Sequence, residues 1–332
     1  MNVKYLYSLI LVIALFLIAY AGVEVAGLQW VFGVIVPYAA VAIFLWGFVS
    51  KILGWANSAV PFRIPTTAGQ QKSFDWIRQN KIDNPSTTGG VVVRMALEIL
   101  VFRSLFRNTK MALHKGAKLI YSWEIWLWVG ALAFHWAFFT TITRHLRFFT
   151  DPVPFPITIL EKMDSFFQVG LPLVFQSGIV LLAALLFLFL RRLFEPQVRY
   201  ISLSADYFPL FLLIGIALSG ILMRYFIKTD IVAAKELAMG LVTFKPCIPE
   251  TVGSIFYIHL FLVSTLLAYF PYSKLMHSGG VFLSPTRNLA NNTRMQRHVN
   301  PWNYPVKTHT YEEYEDDFRE KMIEAGLPVD KE

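Results

Sequence analysis

Trp126-Leu-Trp-Val-Gly-Ala-Leu-Ala-Phe-His135-Trp-Ala-Phe-Phe-Thr-Thr-Ile-Thr-Arg-His145 is long and apolar enough to cross a membrane, which takes about 20 helical residues. It nevertheless carries two histidines. Five other stretches qualify on the same grounds, so the predicted crossings are residues 5–23, 30–52, 120–148, 166–190, 208–227 and 252–272. The whole chain agrees: of 332 residues, 55% are hydrophobic and only 16% charged, whereas soluble domains carry about 25% charged residues. The expected fold class is an all-α membrane protein. It is a six-helix transmembrane bundle with a cytoplasmic amphipathic helix and a polar C-terminal tail. The first crossing ends at Ala19-Tyr20-Ala21, which has the small-residue character of a signal cleavage site. Its apolar core is long for a signal, and it reads as a retained anchor.

Lys and Arg in the connections set the orientation. Residues 54–118 hold ten basic and three acidic residues, and 274–307 hold five basic and none acidic. Residues 22–29, 149–165 and 228–250 are poorer in basic residues. Both termini are therefore expected in the cytoplasm, with the net charge of +8 directed at the membrane face rather than at nucleic acid. The expected organisation is an N-terminal two-helix anchor (1–53), a cytoplasmic loop (54–118), a four-helix core (119–287) and a cytoplasmic tail (288–332). Within the loop, residues 91–115 are apolar but interrupted by Arg94, Arg103, Arg107 and Lys110. That pattern fits an interfacial helix, either as a lipid anchor or as a ledge for a soluble partner. The single Cys247 excludes an internal disulfide and a cysteine-ligated cluster held by this chain alone.

Seven histidines occur. His114, His298 and His309 fall in polar segments and read as surface residues. His135 and His145 share the third crossing, His259 lies in the sixth, and His277 lies just past its end. Ionisable groups in a bilayer are costly and usually functional. Ten residues along a helix span about 15 Å, so His135 and His145 lie at different depths, one toward each leaflet. The third and sixth crossings are antiparallel, which places His145 level with His259 and His135 level with His277. The second match requires the chain to fold back at Pro271, a helix breaker. Two same-depth imidazole pairs are what two bis-histidine haems need. Tighter carboxylate-rich clusters, as in di-iron sites, are missing from this pattern. Arg144, or Arg147, near His145 is positioned to pair with a haem propionate or to snorkel to headgroups. Transport through a histidine proton relay is the alternative class. It predicts acidic residues at mid-membrane, which are scarce.

The spacing His135-x9-His145, with Ile258-His259-Leu-Phe-Leu and Phe270-Pro271-Tyr-Ser-Lys-Leu-Met-His277, resembles the gamma subunit of respiratory nitrate reductase over residues 120–287. That resemblance implies a di-haem cytochrome b oxidising quinol, with His145 and His259 on the outer haem iron and His135 and His277 on the inner. It also implies a lysine near the outer quinol site, for which Lys162 is the best match; an interfacial anchor is the other reading. Pro61-Phe-Arg-Ile-Pro-Thr-Thr-Ala-Gly-Gln-Gln71 and the segment from Arg94 to Lys110 depart from nitrate reductase. They resemble the cytochrome b subunits of the Dsr membrane complex of sulfate reducers. This second likeness implies two haem b groups, menaquinone as substrate and a cytoplasmic iron–sulfur partner like DsrK, related to heterodisulfide reductase. Periplasmic cytochrome c, iron–sulfur and further membrane subunits are also implied, in a role linked to sulfite reduction.

Overall fold

The computed structural model describes residues 3–58, 60, 62–66, 69–114, 118–166, 173–295 and 308–330. The start of the predicted fourth crossing (167–172, with Gly170), His298, Lys115, Pro61, Thr67 and Ala68 lie outside that set. Six helices among the described residues are long and apolar enough to span a bilayer: Lys4–Val25, Val31–Ala56, Ile125–Phe148, Gln176–Phe194, Ser204–Ile227 and Ser254–Tyr272. In chain order the elements are α1 (Lys4–Tyr20), α2 (Val36–Ala56), α3 (Thr88–Val101), α4 (Arg103–Phe106), β1 (Thr109–His114), β2 (Lys118–Trp123), α5 (Ile125–His145), α6 (Phe155–Asp164), α7 (Gln176–Phe194), α8 (Pro196–Ile201), α9 (Ser204–Ile221), α10 (Ile231–Val242), α11 (Ser254–Tyr269), α12 (His277–Gly280) and α13 (Tyr311–Glu324). Wider π turns extend α1 and α9 and precede α2.

Helix contacts run α5–α7–α9–α11–α2, and α1 lies against both α9 and α11. The N-terminal pair is thus packed into the bundle. Leu185, Tyr207, Leu212, Ile258 and Leu262 are essentially fully buried between these helices. Outward positions remain apolar, with Trp46 76% and Trp126 71% exposed. A surface of that kind suits hydrocarbon, where backbone polar groups are satisfied within each helix. Gly47 on α2 admits the turn at Pro271: a Cβ there would stand 2.7 Å from the proline ring. The close approach seats the turn Phe270–Tyr272 that ends α11 and leads to His277.

Several expectations need correction. The interfacial helix is shorter than residues 91–115. Thr87 caps its start by accepting from the Gly90 amide, and Phe102, in left-handed conformation at φ 51°, ends it. The helix is also turned the unexpected way, with Arg94 and Glu98 buried while Val92 and Val93 are exposed. Past α4 the chain forms an antiparallel hairpin pairing Thr109 with Trp123 and His114 with Lys118. The β-branched and aromatic character of Leu-Ile-Tyr-Ser-Trp favours a strand there, so the third crossing begins at Ile125 rather than 120. The fourth opens at Gln176, and α6 is a separate short helix ahead of it. Neither α10, capped by Asp230, nor α13, closed by a Thr310–Glu313 capping box, was expected.

Candidate functional site

Helices α5 and α11 have no extensive mutual packing among the described residues, and their histidine rings face one another instead. His145, the last residue of α5, and His259 on α11 have ring centroids 6.5 Å apart with planes at 17°. His135 and His277, at the start of α12, are 6.0 Å apart at 82°. His135 sits halfway along α5, nearer mid-span than the leaflet placement expected for it.

The hydrogen bonds fix which ring nitrogen is free. His135 Nδ1–H donates to the Ala131 carbonyl, His145 Nδ1–H to Thr141 and His277 Nδ1–H to Lys274, each at 2.7 Å. A carbonyl can only accept, so each Nδ1 bears the proton. His259 Nδ1 meets Ser219 Oγ at 2.8 Å. The Ser219 hydroxyl also lies within reach of the carbonyls of Gly215 and Ile216 at 2.8 and 3.0 Å, either of which can take its proton and leave the oxygen to accept from His259. His135, His145 and His277 therefore present an unprotonated Nε2, His259 does the same when Ser219 accepts from it, and none of the four Nε2 atoms has a hydrogen-bond partner among the described residues. Metal-bound histidines are held in this way, the second nitrogen donating to a fixed acceptor.

A haem b fits these donors. Two imidazoles bound from opposite sides at about 2 Å each have ring centres about 6 Å apart, and their planes turn freely about the common axis. The observed 6.0 and 6.5 Å match that spacing. Phe102 and Phe134 stand edge-on to His135 at 4.8 and 4.9 Å, keeping polar competitors from its ring. Among the described residues, no cluster of three or more His, Cys, Asp or Glu side chains has the makings of a metal site.

Beside His145 lies a polar network that sequence reasoning missed. Arg144 Nε is 2.6 Å from Asp164 Oδ2, an ion pair although its N–H is not aimed at that oxygen, and its Nη2 donates to Ser177 Oγ at 3.1 Å. Ser177 in turn donates to Asp164 through both Oγ (2.6 Å) and its amide (2.7 Å). The guanidiniums of Arg144 and Arg224 lie 3.7 and 4.0 Å from the centroid of the Phe175 ring. Arg147 pairs with Glu161. Arg144 is thus tied to Asp164 rather than presented as a free cation beside the rings. Lys162 is exposed on α6, and among the described residues no hydrogen bond or ion pair joins it to the histidines. His309 lies 4.0 Å from Asp317 in the tail. The readable signal for the missed network was Asp164, an acid at the edge of an apolar segment.

The protein-family model for the nitrate reductase gamma subunit matches residues 91–298. An Hdr-like menaquinol oxidoreductase cytochrome b-like subunit of Archaeoglobus fulgidus is 49% identical over 279 residues, covering 82% of this chain and 83% of the relative. A subunit of the same description from Archaeoglobus profundus is 42% identical over 273 residues, covering 80% and 81%.

Proposed function

Because the chain belongs to the nitrate reductase gamma subunit family, we propose that it is the membrane cytochrome b subunit of an Hdr-like menaquinol-oxidising complex. His145 and His259 hold an outer haem b, and His135 and His277 an inner one. The observation that carries this reading is the pair of facing imidazole couples, each with Nδ1 committed and Nε2 free. When bound, bis-histidine haems supply single-electron carriage between the two membrane faces.

The chain's own part is positional. α5 sets the two levels about 15 Å apart, and the carbonyls of Ala131, Thr141 and Lys274 hold three rings in the ligating tautomer. Menaquinol releases two electrons and two protons on oxidation. With both termini cytoplasmic, Lys162 and α6 lie on the outer side, where Lys162 serves the quinol site and protons leave outward. Electrons pass inward to a cytoplasmic iron–sulfur partner of the DsrK, heterodisulfide reductase-like kind, coupled to sulfite reduction as in the Dsr complexes.

Purified chain should give a reduced-minus-oxidised b-type spectrum with two haems per polypeptide, and a colourless preparation would overturn the reading. Ser219→Ala should weaken outer-haem retention by about 10- to 100-fold, the usual cost of losing an outer-shell partner, while the inner haem is unaffected. Haem-loss kinetics on apomyoglobin transfer measure it.

A further inference from the structure

Helix α3 has the polarity of a helix that does not rest on water. Its only charged side chains, Arg94 and Glu98, are both buried. Arg94 donates to the Asp83 carbonyl, and Glu98 accepts from the amide and hydroxyl of Ser104. The outward stripe is Val92, Val93, Ala96 and Leu100, the spacing of one helix face, with Val92 64% and Leu100 49% exposed. Two contacts give the depth of this stripe. The Trp136 indole N–H donates to the Leu100 carbonyl at 3.0 Å, and the Trp128 indole N–H to the Val101 carbonyl at 2.7 Å. Trp136 lies eleven residues past Ile125, where α5 begins, or about 16 Å at the helical rise. Half of a hydrocarbon core is about 15 Å, so the C-terminal end of α3 stands near the bilayer centre. A helix lying in the interface sinks only about 5–10 Å.

From Phe102, edge-on to His135, the chain returns alongside α5. The Phe106 ring meets Trp128 at 4.9 Å, and the Asn108 carbonyl accepts from the Glu124 amide at 3.2 Å, just ahead of the span. A helix end leaves its last carbonyls without amide partners, and broken backbone at membrane depth is tolerated only where protein satisfies it. Here the indoles of Trp128 and Trp136 stand in for the missing amides, and Glu98 takes the Ser104 amide beyond the break. Water would do this work at an exposed ledge. Leu100 meets α5 at Trp136, which belongs to the same outward apolar wall as Trp126 and Phe139. The stripe therefore continues the lipid-facing surface of the bundle. We infer that α3 is a re-entrant membrane helix that enters from the cytoplasmic face and turns back at Phe102. Its outward stripe is covered by acyl chains of the inner leaflet, not by a soluble partner.

The test uses the full chain with Cys247→Ser and one nitroxide-labelled cysteine at a time: Val92→Cys, Val93→Cys, Ala96→Cys or Leu100→Cys. Each is placed in phospholipid nanodiscs holding a single chain, and relaxation by oxygen is compared with relaxation by a water-soluble nickel chelate. Labels at Trp126→Cys and Phe139→Cys mark the inner end and the middle of α5. Oxygen should dominate at all four α3 positions. Depth should increase from Val92 to Leu100, with Leu100 within one helical turn, about 5 Å, of the Phe139 reference. Dominance of the chelate marks a ledge open to water and overturns the inference. Equal depth at Val92 and Leu100, the mark of a helix lying flat in the interface, also overturns it, as do labels that neither reagent reaches, which mean that protein covers the stripe. Leu100→Asp supplies a second readout. Because a charge near the bilayer centre is costly, it should cut accumulation of the inserted chain by about tenfold, while Leu100→Phe is tolerated. Unchanged accumulation of Leu100→Asp overturns the inference even where no labelled chain can be prepared. Both readouts are independent of colour, so this inference and the haem reading fail separately.

Discussion

His259→Ala is expected to halve the haem content, from two per chain to one, with the outer b-type signal lost and the inner one kept. Loss of a hydrogen-bond partner that only orients a ligating imidazole costs about 10- to 100-fold in affinity. Loss of one of two axial bonds exceeds that and empties the site at ordinary expression levels. His145 cannot compensate, because its ring is held by Thr141 and offers one Nε2 only. The inner couple is insulated by distance, about 15 Å along α5, and by sharing no hydrogen-bond partner with the outer couple among the described residues. His259→Met separates ligation from packing. A thioether restores a second axial ligand and raises the potential, so colour should return with an altered midpoint. Loss of the inner signal instead, or of neither, would refute the assignment of His259 to the outer couple. Haem-to-protein ratio and redox titration of the two variants decide it.

The crossings were legible because hydropathy over about 20 residues is a strong, local signal. Which histidines face one another was legible because helical rise converts spacing into relative level, although His135 lies nearer mid-span than the leaflet placement expected for it. What escaped were features decided by contacts between distant segments. Arg94 looked like part of the polar stripe of an interfacial helix. The fold turns it inward because Asp83, eleven residues upstream, offers a carbonyl that no periodicity announces. Arg144 was read toward a propionate or the headgroups, since nothing local shows that Asp164, twenty residues on, lies against it. Ser219 is an unremarkable hydroxyl in an apolar helix until His259 is set beside it by the α9–α11 contact. The helix α13 was a different kind of miss. Its capping box, Thr310 with Glu313, was present in the sequence, but the segment was read only as a polar tail without a helix.

Asp164→Ala should be the most destabilising single change outside the histidines. The side chains of Arg144 and Asp164 are 9% and 5% exposed, and removing one member of a buried pair costs about 3–5 kcal/mol. The loss is compounded at Ser177, whose amide and hydroxyl both donate to Asp164 and would be left without that acceptor. Arg144 immediately precedes His145, and Thr141, which supplies the carbonyl for His145, also donates its hydroxyl to Ser177 at 3.2 Å. The damage therefore reaches the outer couple first. On heating in detergent, outer-haem absorbance should be lost well below the temperature at which the inner haem is released. Arg144→Met/Asp164→Ala should recover part of the loss, because an apolar replacement of both partners removes the uncompensated charge. Equal melting of Asp164→Ala and the unaltered chain would mean that this pair does not support the site, and a double variant no better than the single would mean that the stranded Arg144 charge is not the source of the cost.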